Sequence, residues 1–235
     1  MLVRVMLLLA LFPALLAADA PPARSSKDAL QGFNNLIGTW KGTGTPKVGT
    51  REERDKGFWI ETIRWQWQFK GKDTWLFADI EKGKQFTRFE LRYQPKTDDF
   101  SLAATTSDKQ TLTFTGTLAN KRLTVERTDP KTKQTQRLVF SLLHANRHLY
   151  ASESRADGST IFTKAYEVGA TKQGVPFASG DTGPECIVSG GLGTMAVTYM
   201  GKTYYVCCSG CRDAFKEEPA KYVKEFEARK KEKKN

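Results

Sequence analysis

From Gly38 to about Val168 apolar and polar residues alternate with a period of two. Ile63, Trp65, Trp67 and Phe69 alternate with Arg64, Gln66, Gln68 and Lys70, the pattern of a strand with one buried and one wet face. The alternation returns in Phe89, Leu91 and Tyr93 against Arg88, Glu90 and Arg92, then in Leu112/Phe114, Leu123/Val125 and Leu138/Phe140/Leu142. Turn-forming clusters separate these runs, among them Lys70–Asp73, Glu81–Lys84, Pro95–Asp99, Ala119–Lys121 and Ala145–Arg147. The spacing predicts about nine or ten short strands joined by hairpins, an antiparallel up-and-down meander. Closure into a barrel removes the exposed edges that so long a sheet would carry. No helix of crossover length interrupts the pattern, which excludes a parallel α/β fold.

The flanks read differently. Residues 21–27 form a Pro/Ser linker, after which Asp28 is expected to cap a short helix running to about Asn35. Gly169–Pro184, rich in Gly, Thr, Ser and Pro, reads as a linker between domains. Beyond it lie a loop bearing Cys186, a hairpin (Ala196–Tyr199 and Lys202–Val206 around Gly201), a helix over Ser209–Glu217 and a second helix opened by Pro219. The expected division is a barrel at residues 28–170, a small α+β lobe at 183–226 and a basic, solvated tail at 227–235. A lobe of roughly forty residues with few apolar side chains needs a staple such as a metal ion.

Composition adds a compartment. Arg4, the apolar run Val5–Leu16 and the small residues Ala17, Ala18 and Ala20 predict a signal peptide at 1–20. The run is shorter than the roughly 20 apolar residues of a membrane span, and no cysteine follows it to take a lipid anchor. The expectation is an exported bacterial protein, periplasmic or secreted, without a membrane span. A net charge of +11 on 235 residues invites a nucleic-acid partner. Export and the lack of any recognition motif argue against one, and the excess is spread along strands and in the tail Arg229–Asn235.

All four cysteines, Cys186, Cys207, Cys208 and Cys211, fall in the C-terminal lobe. In an oxidising compartment an even cysteine count suggests disulfides. Against that, all four are local and two are adjacent, poor geometry for two independent bridges. Thiolates are soft donors, suited to zinc or copper(I). A thiol-redox pair at Cys208 and Cys211 stays open as a third reading.

The C-terminal segment from Gly183 to Phe226 resembles the YHS domain and the related TRASH domain, treble-clef-like metal-binding modules. The resemblance is carried by C-x20-C-x3-C at Cys186, Cys207 and Cys211, the aromatic strand Tyr204–Val206, and the landmarks Phe215 and Pro219–Tyr222. It implies a metal site at Cys186, Cys207 and Cys211. Ile187 follows the first cysteine where members often carry proline. Ser189 stands where some carry a further ligand, leaving Cys208 as the local candidate for an accessory one.

The larger domain resembles the lipocalin-like and nitrobindin-like β-barrels, through Leu36–Gly44 with its Gly-x-Trp at Trp40. In nitrobindins a late histidine binds haem, which brings His144 and His148 forward. Both lie beside a hairpin turn and are expected at the surface or in the turn. Trp65, Trp67 and Trp75 are expected to fill the core, with lining of a ligand cavity as the alternative. No H-E-x-x-H, G-x-S-x-G or phosphate loop occurs, and the acid pairs Glu52/Glu53 and Asp98/Asp99 read as solvated loop residues. The expected function is therefore non-enzymatic metal binding, with metal handling, sensing or docking as its role. The alternative is a barrel that carries a small apolar ligand or haem, the cysteine lobe being a structural staple.

Overall fold

A computed structural model describes residues 24–174 and 183–232. The expected signal peptide, residues 21–23 of the linker, part of Gly169–Pro184 and the last three tail residues lie outside the described residues. The ten barrel strands are β1 (Gly38–Pro46), β2 (Trp59–Lys70), β3 (Asp73–Glu81), β4 (Phe86–Gln94), β5 (Asp99–Thr106), β6 (Thr111–Ala119), β7 (Arg122–Thr128), β8 (Thr135–His144), β9 (Arg147–Arg155) and β10 (Thr163–Lys172). Each pairs antiparallel with its sequence neighbours, and β1 pairs with β10 to close the barrel. The expected up-and-down topology is therefore the observed one. Among the described residues no helix is long and apolar enough to cross a membrane.

The inward face is the apolar half of the alternating pattern. Trp65, Phe89, Phe140 and Tyr150 pack with ring centroids 5.5–6.3 Å apart, and each fully buried large side chain contributes about 1.5–3 kcal/mol. Trp65 and Trp67 thus fill the core. Trp75 faces outward instead, with the Arg92 guanidinium 4.2 Å from its ring centroid, because it sits one residue out of step with the inward Leu76 and Ala78.

One end of the barrel is plugged by α1 (Ser26–Leu30) and a 3-10 helix over Gln31–Leu36. Leu30, Phe33 and Leu36 are buried there, and the Trp40 indole donates to the Leu36 carbonyl at 2.7 Å. The cap of α1 is Ser25, whose hydroxyl accepts from Asp28 N–H, not Asp28 itself. Asp28 lies within the first turn, where a carboxylate also suits the helix dipole. Glu52 and Glu53 belong to a helix, α2 (Arg51–Lys56), closed by a Thr50/Glu53 capping box. With no apolar face, α2 left no periodic signal.

His148 also departs from expectation. It is 1% exposed and sits edge-on to Trp40 with centroids 4.4 Å apart. The register sets it opposite Ala170, in the same inward row as Tyr150. Among the described residues neither ring nitrogen has a hydrogen-bond partner. His144 is exposed at the end of β8, as expected. Glu61 is a second buried polar group, accepting from the Tyr150 hydroxyl and the Trp59 indole, each at 2.7 Å. Gly42 gives it room, since a Cβ there would come within 3.0 Å of the Glu61 side chain.

The C-terminal lobe consists of the Cys186 loop, the hairpin β11 (Met195–Tyr199) and β12 (Lys202–Val206), and helices α3 (Ser209–Glu217) and α4 (Pro219–Glu232). Tyr204 packs on Phe215 and Phe226 at 6.0 and 6.3 Å. The described part of the 227–235 tail is the continuation of α4 rather than free chain. Arg229 pairs with Glu185 at 3.2 Å and donates to the Ile187 carbonyl at 2.8 Å, tying that helix to the cysteine loop.

Candidate metal centre

Cys186 reaches the other cysteines because its loop lies alongside β12. Ile187 N–H donates to the Tyr205 carbonyl at 2.8 Å, and Cys186 bridges in parallel to Tyr205. The loop then turns back on itself. Cys186 N–H bonds the Gly191 carbonyl and Gly190 N–H bonds the Cys186 carbonyl, at 2.6 and 2.9 Å. Gly190 takes φ +77° there, a conformation natural to glycine.

The other ligands come from the strand-to-helix junction. Cys208 is the extended N-cap residue of α3, Cys207 ends the approach from β12, and Cys211 sits in the first helical turn. That reversal brings the sulfurs of Cys207 and Cys211 to 3.5 Å. Cys186, Cys207 and Cys211 all lie with their sulfurs within 4.8 Å of one another. Sulfurs bound tetrahedrally at about 2.3 Å from one zinc ion stand roughly 3.8 Å apart. The three donors therefore fit a soft or borderline ion. All four thiols are free.

Cys208 stands outside that triad. Its sulfur is 3.8 Å from that of Cys207 and accepts the backbone N–H of Trp67 at 3.4 Å. That amide lies beyond Trp65, the last β2 residue paired with β1, so the strand edge there is open. The lobe covers it. Ser209 donates to Gln66 at 2.8 Å, and Gly210 lies against Trp67 so closely that a Cβ would come 1.7 Å from its carbonyl oxygen. Asn34 completes the joint, accepting from the Trp67 indole and donating to the Ser189 carbonyl, each at 3.2 Å.

The thiols share protons. Hydrogen bonds from Cys207 and then Cys211 pull Cys186 down to about 2, despite its burial. The same two partners hold Cys208 at about 4. Cys207 is pushed up by its hydrogen bonds to Cys186 and Cys208. Cys211 is pushed up first by burial. A cluster with thiolates and thiols interleaved this way is ready to exchange its shared protons for a cation. Ser189 supports it, its N–H donating to the Cys186 sulfur and its hydroxyl lying 3.4 Å from the Cys207 sulfur.

Asn34, Trp67 and Arg229 carried no signal of this role in the sequence. An asparagine in a plug helix, a core tryptophan and a tail arginine take it on only through the docking of the two parts.

Residues 194–225 match the YHS domain family. The match takes in Cys207, Cys208 and Cys211, while Cys186 lies just before it. No curated protein matches the chain. Among solved structures, EF1p2_mFAP2b bound to DFHBI aligns over 61% of this chain and 98% of that one, with 13% identity and a TM-score of 0.24. Similarity at that level carries no functional argument.

Proposed function

We propose that this is an exported, non-enzymatic protein that binds zinc or copper(I) through Cys186, Cys207 and Cys211, with Cys208 accessory. Its role is metal handling, sensing or metal-dependent docking. The observation that carries the reading is the convergence of Cys186 with two thiols more than twenty positions away around one point. The YHS match over 194–225 supports it. Export rests on the sequence features of residues 1–20. Bound metal adds the cross-link that so small a lobe lacks, and the N–H···S bond from Trp67 joins the cysteine cluster to the barrel wall. Elemental analysis of protein purified without chelator or reductant tests this. About one zinc or copper per chain is expected, and its loss in Cys186→Ser. A metal-free chain that takes up neither ion refutes the reading.

A second reading, the barrel as a carrier of haem or a small apolar ligand, is favoured by His148, buried with both nitrogens unpartnered. The packed rings of Trp65, Phe89, Phe140 and Tyr150 oppose it. A Soret band on haem addition that disappears in His148→Leu supports this reading, and an unchanged haem spectrum removes it.

A further inference from the structure

Between the barrel and the cysteine lobe lies a cleft of about 390 Å³, a volume within the range of small-molecule sites. Arg64 and Lys172 from the barrel face Thr194, Met195, Cys207 and Cys208 from the lobe across it, and among the described residues no acidic one lines it. Glu81, which pairs with Arg64 at 3.5 Å, stands outside the lining. Lys172 is steadied at the rim by donating to the Asn35 carbonyl at 3.3 Å. The described lining of the cleft is therefore cationic, and Cys207 and Cys208 form part of its wall.

Burial decides which cysteine of the triad borders that space. Cys186 and Cys211 are fully buried, whereas Cys207 is half-buried and is among the residues that line the cleft. Three protein thiolates leave a four-coordinate ion one position. The nearest further protein sulfur, Cys208, is turned to the Trp67 amide. An incoming molecule therefore reaches the ion past Cys207, through a passage that favours negative charge.

We propose that this cleft receives a small organic anion bearing a thiol, whose carboxylates meet Arg64 and Lys172 while its sulfur completes the coordination of the ion. The inference rests on the metal-binding reading above. On binding, the S–H bond of the incoming thiol breaks, its proton passes to solvent and its lone pair enters the coordination sphere. No electrons are transferred. Soft donors suit a thiolate-held ion, and charge complementarity selects the anion.

The full chain loaded with cobalt(II) provides the test, because its sulfur-to-metal charge-transfer and d–d bands report ligands directly. Mercaptosuccinate is expected to strengthen the charge-transfer band at a concentration at least tenfold below that needed with uncharged 2-mercaptoethanol. The double variant Arg64→Gln/Lys172→Gln should lose that advantage while keeping the thiol-free cobalt spectrum, and Arg64→Lys/Lys172→Arg should retain it. Equal half-saturation for the two thiols, no spectral response, or removal of the cobalt by mercaptosuccinate overturns the proposal and leaves metal binding standing. Failure to develop cobalt–thiolate bands without any added thiol overturns both.

Discussion

His148 is a neutral imidazole sealed in the barrel, and acid should find it. Burial, with smaller contributions from Arg147 and Lys172, lowers it from 6.5 to about 3, and the Trp40 ring against it offers no hydrogen bond. Above pH 6.5 the imidazole is neutral in both folded and unfolded chains and titration contributes nothing. As pH falls below 6.5 the unfolded chain takes up a proton that the folded chain refuses, so stability is lost progressively down to about 3. The full gap corresponds to about 4 to 5 kcal/mol, of which about 2 kcal/mol is gone by pH 5. His148→Phe removes both this dependence and two unpartnered nitrogens, each costing about 1–3 kcal/mol. Urea unfolding of the wild type and His148→Phe, followed by tryptophan fluorescence at pH 7.5 and pH 5, measures the difference. The variant should gain about 2 kcal/mol relative to the wild type on moving to pH 5, and His148→Leu should behave alike. Parallel pH profiles for wild type and variants would show that the imidazole is hydrated or partnered in solution, and the burial argument would fail.

Cysteine substitutions should separate ligands from anchor: Cys211→Ser is expected to weaken zinc binding by about 100-fold or more, and Cys208→Ala by far less, in a competition titration against a chromophoric chelator. Gly210→Ala drives a methyl group into the Trp67 carbonyl and should cost the docked arrangement about 1–3 kcal/mol, seen as faster amide hydrogen exchange in α3 with the barrel's own melting little changed. Because the buried cysteine cluster holds protons on sulfur without metal, loading should release protons. Calorimetry in buffers of different ionisation enthalpy counts them, and affinity should fall as pH is lowered.

The barrel was legible because its determinants are local. Period-two alternation and turn chemistry identify strands and hairpins wherever one face is buried, and the run from Ile63 to Lys70 declares its inward side residue by residue. The same logic missed α2, which buries nothing, and misplaced His148. A strand's inward row is fixed by cross-strand register, and a histidine near a turn does not announce which row it joins. In the lobe, the clustering of four soft donors pointed to a metal ion, and the resemblance to the YHS domain singled out Cys186, Cys207 and Cys211 among them.

Chemistry carried by residue type and short-range order was thus set by the sequence itself: the alternating strands, the clustered thiols, the helix starts at Ser209 and Pro219. Relations between distant segments were decided only in three dimensions. Cys208 became an anchor to the barrel because strand β1 stops short of Trp67 and leaves an amide to satisfy. Arg229 left the expected tail to fasten the Cys186 loop, and Arg64 and Lys172 came to face Cys207 across a cleft. Such contacts depend on how two surfaces distant in the sequence meet, and the free energy of that meeting is not written in either segment alone.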